Sequence, residues 1–245
     1  MQNDNPLHAP ETLVIPLFDL VYHDCIAMYG KYGYDPKQAA AYVLAHISLT
    51  RPLNYHAIPP HLYWQASASE APKAAPWMGP DPALFTRADN GWAAGLHPLD
   101  RFIKNTYEVL SPLNELTARQ RLMQHQFLTP DRKVERTVFG TGTNEVRVVV
   151  NASATNYVCA STTGQPVLLP PFGFLAESRE FVAFCALSWG GVKYAAPALF
   201  TLRSLDGKGL AQAQRVRIFH GFGSDAIASP QGEQHVPREV VLTRP

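Results

Sequence analysis

Residues 13–24 form an almost unbroken apolar run, LVIPLFDLVYHD, which ends in an aromatic ring, an imidazole and a carboxylate. Buried strands of a parallel sheet have such near-continuous apolar sequences, because helices cover both of their faces. The run therefore predicts a parallel strand. Ligands bind beyond the carboxyl ends of such strands, which makes Tyr22, His23 and Asp24 candidate site residues. The alternative is that His23 and Asp24 only cap the strand and hydrogen-bond to nearby backbone.

Helical spacing follows in two regions. Asp35 and Pro36 predict the start of a helix that ends at Arg51-Pro52, and a second apolar stripe runs from Leu99 to Leu110. Ser111-Pro112 predicts an interruption, followed by a further helical stretch over residues 113–124. The loop MYGKYGY between the first strand and the first helix contains Tyr29 and Tyr32. Their rings suit sugar binding, and ordinary packing is the equally weighted alternative.

From Val134 onward the pattern changes to short β-branched and aromatic runs separated by glycine-rich turns. This pattern predicts an antiparallel β-sandwich. The predicted strands are residues 134–139, 146–150, 167–169, 181–187, 198–202 and 216–219. We accordingly predict two domains, a βα/helical portion at 1–128 and a sandwich at 129–245, with a loose tail after Ala228.

Composition limits the function classes. The 245 residues are 46% hydrophobic and 17% charged with a net charge of +1, which is typical of a globular protein and does not favour nucleic acid as a partner. No apolar stretch has the length of a membrane span, and no signal peptide is evident, so export would need an upstream segment that carries one. The compartment stays open. The spacing of the three cysteines and of His46, His56 and His61 signals no metal site, and no cofactor motif is present.

One βα unit cannot bury both faces of its strand. The pattern therefore predicts an α+β multi-domain chain: the terminal βα portion of a (β/α)8-type barrel plus helices, followed by an antiparallel β-sandwich. A missing amino-terminal barrel portion would be its partner. The alternative is a self-contained protein whose strand pairs within a small α-rich domain or against a second copy.

Several segments carry a family resemblance. VIPLFDLVYHD, SLTRPLNYH, AGLHPLDRFIKNTYEVLSPLNELTA, ERTVFGTGTNEVRVVVN and LPPFGFLAES resemble the carboxyl-terminal part of TIM-barrel glycoside hydrolases, over residues 12 to about 228. The resemblance implies that Tyr22, His23 and Asp24 end the eighth barrel strand and line a sugar site, with Tyr29 and Tyr32 beside them. It implies a carbohydrate ligand and no particular sugar.

Glycoside hydrolysis needs two carboxyl groups across the scissile bond, and the sequence offers Asp24 without a clear second. Asp19 lies inside the apolar run, Asp35 is a predicted helix cap, and Glu108 and Glu115 belong to predicted helices. We therefore expect the carboxyl-terminal portion of a glycoside hydrolase that contributes sugar-binding residues, lacks the catalytic pair and is inactive alone. The alternative is a non-catalytic carbohydrate-binding or assembly module built on the sandwich.

Overall fold

A computed structural model describes residues 15–26, 39–53, 83–87, 91–96, 98–229 and 232–244. The helices are α1 (Leu17–Tyr22), α2 (Ala39–Ser48), α3 (Ala83–Thr86) and α4 (Pro98–Thr117). The strands are β1 (Leu122–Phe127), β2 (Val134–Phe139), β3 (Val146–Asn151), β4 (Tyr157–Ala160), β5 (Pro166–Leu169), β6 (Phe174–Ser178), β7 (Phe181–Trp189), β8 (Val192–Ser204), β9 (Arg215–Phe222), β10 (Ala226–Ser229), β11 (Gly232–His235) and β12 (Glu239–Thr243).

Ten of these strands form one sheet, in the order β1-β2-β3-β6-β7-β8-β9-β12. The hairpin β4-β5 branches from β7 through the Leu168 and Ser188 pair, and β10-β11 forms a separate ribbon. Every pairing in the sheet is antiparallel. Short turns join most neighbours, as the glycine-rich linkers between the runs predict.

The two faces of the sheet carry different cores, because successive strand side chains point to opposite faces. In β7, Phe181, Ala183 and Cys185 belong to one core, while Val182 and Phe184 belong to the other. The first core also contains residues of α2, α3 and α4, so these helices cover that face. The second core is covered by β4-β5, β10-β11 and the segment between β8 and β9.

Helix α4 runs through Pro112 to Thr117, where the sequence predicts an interruption. Proline removes one backbone donor, which is a local loss. Val109 and Leu113, on either side of that point, are both fully buried against the sheet. This packing holds the helix across the proline. The polypeptide then turns at residues 118–120, and β1 occupies the end of the stretch predicted to be helical.

The predicted fold class is wrong. The chain is mostly β, and residues 17–22 form helix α1 instead of a barrel strand. Periodicity does not distinguish a short apolar strand from a short helix. Here the helix places Asp19 and His23 on one face, and both are buried. A strand would have put Asp19 and Val21 on the same face, whereas Val21 is exposed.

The β-rich part agrees more closely with the sequence. All six predicted strands are present as β2, β3, β5, β7, β8 and β9 within a few residues, and their antiparallel pairing is confirmed. Ten of the strands belong to one continuous hydrogen-bonded sheet and not to two separate ones. The tail after Ala228 is also not loose, because β12 pairs with β9 along its length. The domain boundary at 128/129 stays a prediction.

Candidate functional site

Helix α1 is fastened to the rest of the protein by a buried ion pair. Asp19 is 1% exposed, and its two carboxylate oxygens accept hydrogen bonds from Nε (3.0 Å) and Nη2 (2.6 Å) of Arg51. Arg51 follows the end of α2 and is itself buried. This two-pronged geometry fixes orientation as well as distance. The pair therefore holds α1 rigidly beside α2.

His23 lies at the carboxyl end of α1 and is buried. Its Nδ1 lies 2.9 Å from the carbonyl oxygen of Gln120, which can only accept, so Nδ1 carries the proton. Nε2 lies 3.4 Å from the Thr50 hydroxyl oxygen, and the ring packs on Phe139 with a centroid distance of 4.7 Å. These contacts connect α1 to the segment before β1 and to β2. His23 is thus a positioning residue with no open face toward a ligand.

Asp24 lies at the surface beside Arg121. Its Oδ2 accepts from Nε of Arg121 at 3.2 Å, and its Oδ1 accepts from the Cys25 thiol at 3.4 Å. The hydrogen bond from Cys25, and then that from Arg121, holds the pKa of Asp24 below its ordinary value. The same contact raises the pKa of the Cys25 thiol. Asp24 is therefore an ionised carboxylate, suited to accept hydrogen bonds and unsuited to donate a proton.

The structure brings Asp24 and Arg121 together at the surface, at a place that we call the Asp24 corner, and exposed Tyr22 lies two residues before Asp24 in the chain. Tyr22 ends α1, and its ring contacts Phe18 with a centroid distance of 5.0 Å. Arg121 has no counterpart in the sequence-based prediction. Its pairing with Asp24 spans 97 residues, and no local pattern signals such a contact. The predicted Tyr29 and Tyr32, like the predicted cap Asp35, lie outside the described residues.

The outward face of α1 is apolar. Leu17 is 69% exposed and Val21, one turn later, is 60% exposed, with Ile15 and Tyr22 exposed beside them. Residues four apart share a helix face, so Leu17 and Val21 form a continuous surface. The usual arrangement of a surface helix is inverted, since its polar residues Asp19 and His23 are buried and its apolar residues face outward.

A separate concave surface, which we call the β cleft, lies on the sheet face opposite α2 and α4. It has a volume of about 460 Å³. Its floor is made of side chains from β7, β8, β9 and β12, and its rim contains Trp189, Glu177, Arg179 and Arg244. The alternation of apolar and polar residues in the predicted strands indicates which side chains share this face of the sheet. It does not indicate that they line an open space, because the openness of the face depends on which strands cover it.

The buried carboxylates of the described residues all contact basic side chains. Asp19 binds Arg51, Glu108 binds Arg217 and Lys104, Glu135 lies 3.1 Å from His125, and Glu177 binds Arg147. Burial favours a raised pKa for Glu108, but the hydrogen bonds from Arg217 and Lys104 outweigh it and lower that pKa.

The described residues contain no group of three or more histidine, cysteine, aspartate or glutamate side chains placed to hold a metal ion. None of the helices in these segments combines the length and apolarity that a membrane-spanning helix needs. In comparisons with known proteins, the sequence matches no family model and no curated protein.

Proposed function

We propose that this chain is the carboxyl-terminal portion of a glycoside hydrolase acting on O-glycosidic bonds. In this proposal the chain contributes sugar-binding residues at the Asp24 corner, and the general acid and the nucleophile come from the portion that it docks against. The observation that carries the proposal concerns helix α1. Its buried Asp19 binds Arg51, while its apolar side chains Leu17 and Val21 face outward.

The docking part rests on the outward face of α1. Contiguous exposed apolar side chains on a protein surface mark interaction sites, whereas scattered ones need no explanation. Leu17 and Val21 are contiguous, and the buried Asp19–Arg51 pair beneath them keeps the surface in a fixed orientation. We assign this face to the catalytic portion, because exposed Leu17 and Val21 need an apolar partner surface to cover them.

The sugar-binding part rests on the chemistry of the Asp24 corner. A sugar hydroxyl both donates and accepts, so it can donate to the Asp24 carboxylate and accept from the Arg121 guanidinium. Tyr22, two residues before Asp24, has a half-exposed ring whose apolar face suits a sugar ring. Because the corner is exposed and small, we expect weak binding by the chain alone, in the millimolar range (~4 kcal/mol).

The test is a titration with methyl glycosides, followed by the shifts of backbone amides near Asp24 in ¹H–¹⁵N NMR spectra. We expect saturable shifts that are confined to the Asp24 corner and disappear in Asp24→Ala. Asp131→Ala is the matched control, since Asp131 is an exposed aspartate on the loop between β1 and β2. Shifts that persist in Asp24→Ala, or that are absent in the native chain, would contradict the sugar-binding role.

A second candidate is a non-catalytic carbohydrate-binding or assembly module, which the mostly β architecture favours. The two candidates differ in the role of α1. If α1 docks on a catalytic portion, Leu17→Glu and Val21→Glu should abolish that docking and lower the activity of the full enzyme. The same substitutions should leave the binding of methyl glycosides by this chain unchanged. Full activity with both substitutions would favour the module.

A further inference from the structure

The floor of the β cleft is a row of branched aliphatic side chains that face one another across four strands. Val182 of β7 pairs with Leu202 of β8, and Leu202 pairs with Ile218 of β9. Val216 pairs with Leu242 of β12. All five line the cleft. Directly opposed residues of an antiparallel pair have their side chains in contact, so this floor is continuous and apolar.

The lining of the cleft includes an aromatic ring that is held in place by stacking. Trp189 ends β7 just before the Gly190-Gly191 turn, where both glycines have positive φ angles of 58° and 87°. That conformation suits a tight two-residue hairpin and is costly for other residues. The Trp189 ring stacks on Phe184 with a centroid distance of 4.8 Å. The indole is therefore held in place as a rigid wall.

The rim of the cleft carries uncompensated positive charge. Arg244 donates to the carbonyl oxygens of Ala211 and, at 3.3 Å, Leu210, which are neutral acceptors. Within the described residues, the structure shows no carboxylate bound to either Arg244 or Arg179. Glu177, the acidic side chain on the rim, is buried and already binds Arg147 at 3.0 Å and the backbone N–H of Thr162 at 2.9 Å. Its charge is thus neutralised.

We propose that the β cleft binds a small organic anion with an apolar body, its head group at Arg179 and Arg244 and its hydrocarbon part along the floor toward Trp189. The volume of about 460 Å³ lies within the roughly 300–1,000 Å³ typical of small-molecule pockets. Such pockets combine an apolar lining with a few charged groups that fix orientation, as this one does. The inference is independent of the glycoside hydrolase proposal.

The floor of this cleft suits an apolar body better than a bare sugar. Hydroxyls that lie against Leu202, Ile218 and Val216 find no partner in those side chains, and burying an unpaired hydroxyl is costly. The lining also includes polar side chains, among them Thr162 and Gln165. An alkyl or aryl chain has no hydroxyls and gains by leaving water. The Asp24 corner and the β cleft therefore select opposite ligand chemistries.

The experiment uses octanoate as the probe, with 1-octanol as the neutral analogue of equal chain length and methyl β-glucoside as the sugar. Binding is measured by calorimetry, and its location by the NMR signal of the Trp189 indole N–H, assigned with Trp189→Phe. We expect octanoate to bind about fivefold more tightly than octanol and to shift the Trp189 signal. Arg179→Gln should remove that difference, while Arg215→Gln, an exposed arginine outside the cleft, should preserve it.

A second pair of variants tests the cleft without altering its floor. Ala211→Trp places a large ring at an exposed position of the cleft rim, and Ala154→Trp makes the same change at an exposed position away from it. Only the first should block octanoate. Equal affinity for octanoate and octanol, octanoate binding that survives Ala211→Trp, or a Trp189 shift with methyl β-glucoside in place of octanoate would overturn the proposal.

Discussion

Replacing Asp19 by asparagine tests how α1 is held. The substitution keeps the shape of the side chain but removes its charge. In the native chain Nη2 of Arg51 lies 2.6 Å from Oδ2 of Asp19, where the variant can place an amide NH₂ group that also donates. Arg51 is then left as a buried cation without its partner. Breaking a buried ion pair from one side costs about 3–5 kcal/mol, because the remaining charge stays desolvated.

The free energy of unfolding is measured by urea denaturation, followed by circular dichroism, for the native chain and Asp19→Asn. The matched control is Glu115→Gln, which breaks the Arg203–Glu115 pair at the surface, where the side chains are 40% and 64% exposed. Exposed pairs contribute about 0–1 kcal/mol. The double variant Asp19→Leu with Arg51→Met should recover most of the loss, since it removes both charges. A loss of less than 1 kcal/mol in Asp19→Asn, equal to the control, would refute the view that this pair anchors α1.

Three further predictions concern buried groups. Burial lowers the pKa of His46 from 6.5 to about 4, so the stability that depends on neutral His46 is complete above pH 6.5 and is lost as the pH falls toward 4. Urea denaturation should show a free energy of unfolding about 2 kcal/mol lower at pH 5 than at pH 7 because of this group, and His46→Gln should lack that part of the loss. Ellman's reagent should modify exposed Cys25 and leave Cys159 and Cys185 unmodified, because burial raises the pKa of each of these two thiols to about 12. Asp24→Asn should speed the reaction of Cys25 by lowering the pKa of the Cys25 thiol, and equal labelling of all three cysteines would contradict the prediction. Gly173→Ala should lower the free energy of unfolding by about 1–3 kcal/mol in thermal unfolding, because the new Cβ would lie 2.5 Å from Pro170 Cδ and 2.7 Å from the Cys185 carbonyl oxygen. The control Gly95→Ala should be near neutral, since a Cβ there has no atom within 4 Å.

The sequence predicts six of the twelve strands of the described residues, because those six apolar runs are separated by turn residues. Residues 181–187 are one of these runs, and their alternation matches the two cores on either side of β7. What local pattern could not supply is the global arrangement. Whether strands close into two sheets or continue as one depends on pairings such as β3 with β6, which skip over the β4-β5 hairpin.

The apolar run at 13–24 shows the opposite limit. Its apolar residues predict a buried segment, whereas Leu17 and Val21 are exposed and Asp19 is buried. Burial of Asp19 depends on Arg51, 32 residues away, which no local pattern signals. Likewise, the Asp24 corner depends on Arg121, and His23 is buried by contacts with Gln120 and Thr50. The sequence points to this segment, but no local pattern signals the long-range partners Arg51, Arg121 and Gln120, and the sugar-binding role of Tyr22 and Asp24 stays a prediction.

The most direct test of the proposed function is the release of nitrophenol by the purified chain from a panel of aryl α- and β-glycosides. Positioned acid and base catalysis each contribute roughly 10²- to 10⁴-fold, and the Asp24 corner supplies at most one carboxylate. We therefore predict no turnover above the rate of Asp24→Ala on any substrate. Robust turnover that Asp24→Ala abolishes would contradict the account, because it would place a complete catalytic site within this chain.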